Sequence, residues 1–237
     1  MDTLRKTALV AGGFYLITFI SSIPAFFLLD PVLNDPDYIV GSGADTRVLL
    51  GCFLDLINAI ACIGTAVTLF PVVKRQNEGV ALGFVAARVF EAAIIVIGVV
   101  SLLSVVTLRN DLAGGAGTDD GSLVAIGQSL VAIRDWTFVL GPGLIPGVNA
   151  LLLGYLMYRS GLVPRLIPVL GLVGAPLLIT SATVTLFRNN DPVTVLAAIA
   201  TVPIFLWELS LGVWLVVKGF KPSPITAGMV AAGTRPA

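Results

Sequence analysis

From residue 7 to residue 29 the chain carries no charged side chain, and the stretch 166–187 repeats the feature near the other end. A helix needs roughly 20 apolar residues to cross a hydrocarbon core about 30 Å thick. Six stretches reach that length: 7–29, 48–73, 80–108, 122–158, 166–187 and 192–217. Only 12% of the residues are charged and 57% are hydrophobic, whereas soluble domains carry roughly 25% charge. So little polar surface cannot coat a globule in water, so the bulk solvent is lipid. Backbone groups in lipid must be satisfied within the segment, and uninterrupted apolar runs do this as helices rather than as short alternating barrel strands. The expected fold is all-α: one polytopic integral membrane domain of six transmembrane helices over residues 1–221, followed by a disordered cytoplasmic tail at 222–237.

The loop charges orient that bundle. With the N-terminus inside, Arg5, Lys6, Lys74, Arg75, Arg159, Arg165, Lys218, Lys221 and Arg235 fall on the cytoplasmic side, and only Arg47, Arg109 and Arg188 fall outside. This asymmetry places both termini in the cytoplasm. The basic, apolar N-terminus lacks a small-x-small cleavage site and is read as a retained first helix rather than a signal peptide. The connections 30–45 and 109–121 are rich in Asp, Gly and Pro and are expected to be turns without a folded domain.

The fourth stretch is too long. As one straight helix 122–158 would extend about 55 Å at 1.5 Å per residue. Splitting it into two crossings at "GPGLIPG" would move Arg159 and Arg165 outside, against the charge bias. One crossing, kinked near 141–147 at Gly141, Pro142, Gly143, Pro146 and Gly147, fits better.

Several chemistries are disfavoured. The chain has no histidine, which removes His-based zinc or di-iron sites, His-ligated haem and Ser-His-Asp catalysis. Cys52 and Cys62 lie about 15 Å apart along one helix, too far for a disulfide, and are expected to pack as small apolar residues. No phosphate-binding glycine loop has the required spacing. The 14 basic and 14 acidic residues cancel, so no global field points to nucleic acid. The expected partner is the lipid bilayer. No metal, no cofactor and no enzymatic turnover are expected, and the sequence leaves the oligomeric state open.

The remaining signal is the polar residues inside the spans: Asp55, Arg88, Glu91, Arg134, Asp135 and Glu208, with Asn58 and Asn149. Each buried ionisable group costs roughly 2.5–3.5 kcal/mol on insertion scales and needs a partner or a purpose. Four acids face two bases, so protonated carboxyls, a cation or a wet cavity must offset the difference. In the second span Gly51, Asp55, Asn58, Cys62 and Thr65 recur at intervals of four and three, a stripe that should face the interior. Arg88 and Glu91 are three apart and can pair, and Gly98 continues the face of Glu91. In the last span Thr201, Glu208 and Gly212 share a face. Arg134 and Asp135 diverge by about 100° around the helix, so each is expected to meet a different neighbour. Two layers follow: an outer Asp55–Arg134 contact and an inner cluster of Arg88, Glu91 and Glu208. Trp136, Trp207 and Trp214 read as packing or interface residues.

These residues carry a family resemblance. "FPVVKRQNEGVALGFVAARVFEA" (70–92), "AIRDWTFVLGPG" (132–143), "LLLGYLMYRSGLVPR" (151–165) and "WELSLGVWLVVKGF" (207–220) resemble a bacterial multi-pass membrane family, domain-of-unknown-function family 4386. The resemblance implies a polytopic protein of the bacterial cytoplasmic (inner) membrane and transfers no activity or substrate. Two functional readings stand on the residues: a small transporter or ligand-binding membrane protein taking a small polar or cationic ligand, and a structural or regulatory subunit whose ion pairs only assemble helices. An intramembrane enzyme ranks behind both.

Overall fold

The structure, a computed structural model, describes residues 3–41, 45–112, 120–188 and 194–227. Among these the regular structure is helical: α1 (Thr3–Leu28), α2 (Asp30–Asn34), α3 (Asp45–Val73), α4 (Glu78–Leu112), α5 (Asp120–Leu140), α6 (Ile145–Ser160), α7 (Leu166–Phe187), α8 (Thr194–Val217) and a 3₁₀ turn at Pro224–Thr226. Six helical segments are long and apolar enough to cross a membrane, with α5 and α6 together forming one of them, Asp120–Ser160. The loop residues 42–44, 113–119 and 189–193 and the tail residues 228–237 lie outside the described residues, so the turns expected there and the start of the sixth span at 192 are not addressed.

The helices close into a ring. α1 packs on α3, α3 on α4, α4 on both α5 and α6, α6 on α7, α7 on α8, and α8 returns to α1. The ring has a terminal end, where Arg5 donates to the carbonyls of Leu215 (3.0 Å) and Val216 (2.6 Å). A cation on the last carbonyls of α8 also complements the helix dipole. At the far end Arg47 donates to the Phe27 carbonyl at 2.7 Å.

The outside of the ring is apolar: Ile20, Ile60, Leu82, Leu166, Phe187 and Val195 are all strongly exposed. Lipid offers these side chains the same apolar contact as a protein core, so association rests on close packing of small residues and on internal polar bonds. The interior shows both. Ala8, Ala11, Ala66, Ala81, Ala150 and Ala175 are fully enclosed, and the buried stripe of α3 comprises Gly51, Asp55, Asn58, Cys62 and Thr65. One apolar cluster surrounds Trp207, Met157 and Leu69 towards the terminal end. A second surrounds Leu29, Val48 and Leu102 towards the far end.

Three sequence expectations are corrected. The break in the fourth span covers residues 141–144 only, because α6 restarts at Ile145. Pro142 has no amide hydrogen to donate, and the ladder reforms around it as Gly143 donates to the Phe138 carbonyl at 2.8 Å. Pro146 and Gly147 lie inside the first turn of α6, where a proline loses no helical bond. The connection after α1 is more than turns: it contains α2, and Tyr38 and Ile39 are buried. A turn-rich composition hides these two apolar side chains, which pack with Val105 and Leu123. The tail, expected disordered from 222, stays attached through 227. Lys221 donates its backbone amide to the Leu162 carbonyl at 2.7 Å, and the Ser223 hydroxyl donates to the Ser160 carbonyl at 2.6 Å. The carbonyl of Ser160, the last residue of α6, and that of Leu162 just beyond it need donors, and the tail supplies them.

Candidate functional site

Between the two apolar clusters the ring encloses charge. Arg88 on α4 is the hub. Its Nη1 donates to Glu91 Oε2 at 3.0 Å, one turn along the same helix, and its Nη2 donates to Glu208 Oε1 on α8. Asn149 on α6 donates its Nδ2 to the same Glu91 oxygen at 2.7 Å. Tyr15 on α1 lies with its ring 5.4 Å from the guanidinium, and its hydroxyl accepts from Nη2 at 3.4 Å. Cys62 on α3 accepts from Nη1 at 3.7 Å. Five helices therefore converge on one cluster, whose central residue, Arg88, is 2% exposed.

Nearer the far end, Arg134 on α5 donates its Nη2 to Asp55 Oδ2 on α3 at 3.1 Å. Its guanidinium also lies 5.2 Å from the Phe138 ring. The approach depends on Gly98 of α4: a Cβ there would stand 2.9 Å from Arg134 Cδ and 2.6 Å from Thr137 Oγ1. The Asp55–Arg134 pair should show in a double-mutant cycle. Single charge reversals at 55 and 134 are each expected to destabilise, and the swapped double to recover about 0.5–3 kcal/mol of coupling. Additive losses in thermal melts would mean that the pair does not act as a unit.

Asp135 behaves differently. Its neighbour's partner is not its own: among the described residues no hydrogen bond or ion pair engages its side chain, and it is half-buried. The expectation that it meets a second helix as Arg134 does is not met. Instead it borders two cavities. One, of about 640 Å³, lies between α1, α2, α5, α7 and α8 and is lined by Phe26, Phe27, Asp30, Phe138, Ser181 and Thr201, among others. The other, of about 310 Å³, is lined by Asp35, Tyr38, Gln128 and Val131 and shares Leu33, Asn34 and Asp135 with the first. A pocket of about 60 Å³ touches Asp55, Asn58 and Arg134. None of these three is lined by Arg88, Glu91 or Glu208.

The far end holds a cluster that sequence reasoning assigned to the loops. Arg109 at the end of α4 donates to Asp45 Oδ1 at 2.7 Å and twice to the Gly41 carbonyl, at 3.0 and 2.7 Å. It lies 4.7 Å from the Tyr38 ring, and the Tyr38 hydroxyl donates to Asp45 at 3.0 Å. Burial, then the hydrogen bond to Asp45 and its charge, push the Tyr38 phenol up to about 12. It therefore remains a donor at neutral pH. This lock pins the segment after α2, whose Asp35, Tyr38 and Ile39 line the smaller cavity.

Tyr15 and Cys62 are the cluster members missed from sequence. Cys62 was expected as an apolar filler, but its thiol lies within reach of Arg88 and of Asn58 Oδ1 (4.0 Å). Cys52 and Cys62 are both free and buried. Tyr15 carried a signal: Ala8, Ala11, Tyr15, Thr18, Ser21 and Ala25, all buried, repeat the small-and-polar stripe that marks the inner face of α3. Trp207 is buried at 1% exposure against Gly171, as a packing residue.

Six apolar spans wrapped around a buried polar layer define a polytopic membrane protein. Within that class the chain belongs to the family described as domain of unknown function DUF4386, whose model matches residues 10–219. No curated protein and no solved structure matches it.

Proposed function

We propose that this chain is a ligand-binding membrane protein of the transporter type, and that it holds a small polar or cationic solute beside Asp135. The cavity of about 640 Å³ carries the reading, since small-molecule sites run about 300–1,000 Å³. Its wall combines two carboxylates, Asp30 and Asp135, with the rings of Phe26, Phe27 and Phe138. Aromatic faces beside an unpaired carboxylate favour an organic cation. The broken backbone at 141–144 fits this placement, because irregular backbone at membrane depth is tolerated where it is buried or lines a cavity. Binding rather than turnover is proposed, in the bacterial inner membrane with both termini cytoplasmic. The excess of Lys and Arg at the terminal end supports that orientation.

The test is binding of benzyltrimethylammonium to the purified full chain in nanodiscs, followed by flux in proteoliposomes with and without a proton gradient. Asp135→Asn is expected to weaken binding at least tenfold, about 1.4 kcal/mol, with the thermal melt unchanged. No saturable binding, or equal binding by Asp135→Asn, would overturn the reading.

A second reading has one observation in its favour: the buried cluster around Arg88 is built from side chains of five helices, as a purely architectural ion cluster would be. A structural or regulatory subunit of that kind binds and moves no solute.

A further inference from the structure

The hub around Arg88 does not balance. One guanidinium faces two carboxylates, Glu91 and Glu208. The groups that reach it from the other helices are Tyr15 of α1, Cys62 of α3 and Asn149 of α6, and none of these brings a positive charge. Arg134, also within the spans, is engaged by Asp55. With both glutamates ionised, the interior would hold an uncompensated negative charge away from water, a state costly enough to require a counter-charge. A metal cation does not fit the role. Among the described residues no three His, Cys, Asp or Glu side chains are grouped to hold one, and guanidinium and amide donors already occupy the carboxylates.

We propose that Glu91 and Glu208 bind one exchangeable proton, shared across Arg88, as a buried proton site separate from the cavity at Asp135. Binding converts one carboxylate into a neutral carboxylic acid and leaves a single ion pair with Arg88. Asn149 is built to serve both states. Its Nδ2 donates to Glu91 now, while its buried Oδ1 has no donor among the described residues. Turning the amide over places that acceptor on Glu91, where it takes the acid's hydrogen. Glu208 is the entry point. Its side chain is 14% exposed, against 5% for Glu91 and 2% for Arg88.

Infrared spectroscopy of the full chain in nanodiscs reads the site directly. The wild type is expected to show the carbonyl stretch of a protonated carboxylic acid at neutral pH. Labelling glutamate side chains with ¹³C is expected to shift that band. The chain's one further glutamate, Glu78, is exposed at the first residue of α4. Glu208→Gln and Glu91→Gln should each abolish the band, since either leaves one acid for one base, and Asp135→Asn should leave it intact. Absence of the band in the wild type, a band that the label does not move, or its loss in Asp135→Asn would overturn the proposal. The labelling result decides the matter even where a glutamine variant fails to fold.

Discussion

Arg88→Leu is expected to cost about 3–5 kcal/mol, the loss typical when one partner of a buried ion cluster is removed. The substitution leaves Glu91 and Glu208 facing each other with their main donor gone. It also withdraws the guanidinium from the Tyr15 ring and the Cys62 sulfur, so at this depth α1 and α3 lose their polar contact with α4, and the Arg109–Asp45 pair at the far end remains. Thermal melting in detergent should show the variant unfolding far below the wild type. The triple variant Arg88→Leu, Glu91→Gln, Glu208→Gln should regain much of the loss, because it removes the stranded carboxylate charge together with its partner. A single variant that melts with the wild type would mean that water or lipid headgroups already neutralise the cluster.

The second large effect is expected at Trp207. It is the largest of the fully enclosed side chains, and its ring lies over Gly171, where a Cβ would stand 2.8 Å from Trp207 Cδ2. Trp207→Ala opens a void that this tight α7–α8 seam cannot close, at an expected cost of about 3–5 kcal/mol. In lipid the loss is mainly of dispersion contacts, since an exposed apolar surface costs little there. Trp207→Phe should restore most of the stability by refilling the space. Equal melting of the alanine variant and the wild type would mean that the seam repacks. The two losses should also be measured together. Trp207 precedes Glu208 on α8, so the double variant tests whether packing at the seam and charge at the hub are coupled.

Much of this architecture is legible in the chain because membrane crossing is a local property. Length and apolarity alone decide whether a segment such as 166–187 can span, and helical periodicity alone puts Asp55, Asn58, Cys62 and Thr65 on one face. The pairing of Arg88 with Glu91 is likewise local, three residues apart. Other features are not local. Tyr15, 73 positions from Arg88, joins the hub only because α1 packs into the ring beside α3 and α8. Arg109 and Asp45 lie 64 positions apart and meet only once α3 and α4 stand side by side. The tail residue Ser223 finds its acceptor at the end of α6, 63 positions earlier.

The pair at 134 and 135 marks the boundary between the two kinds of information. Helix geometry already requires that two adjacent charges point about 100° apart, and lipid requires that each be compensated. That Arg134 meets Asp55 while Asp135 opens onto cavities follows from how the helices pack. The physical reason is that a helix sets direction within its own frame, whereas a partner or a void depends on which neighbouring helix, or which gap between helices, occupies that direction.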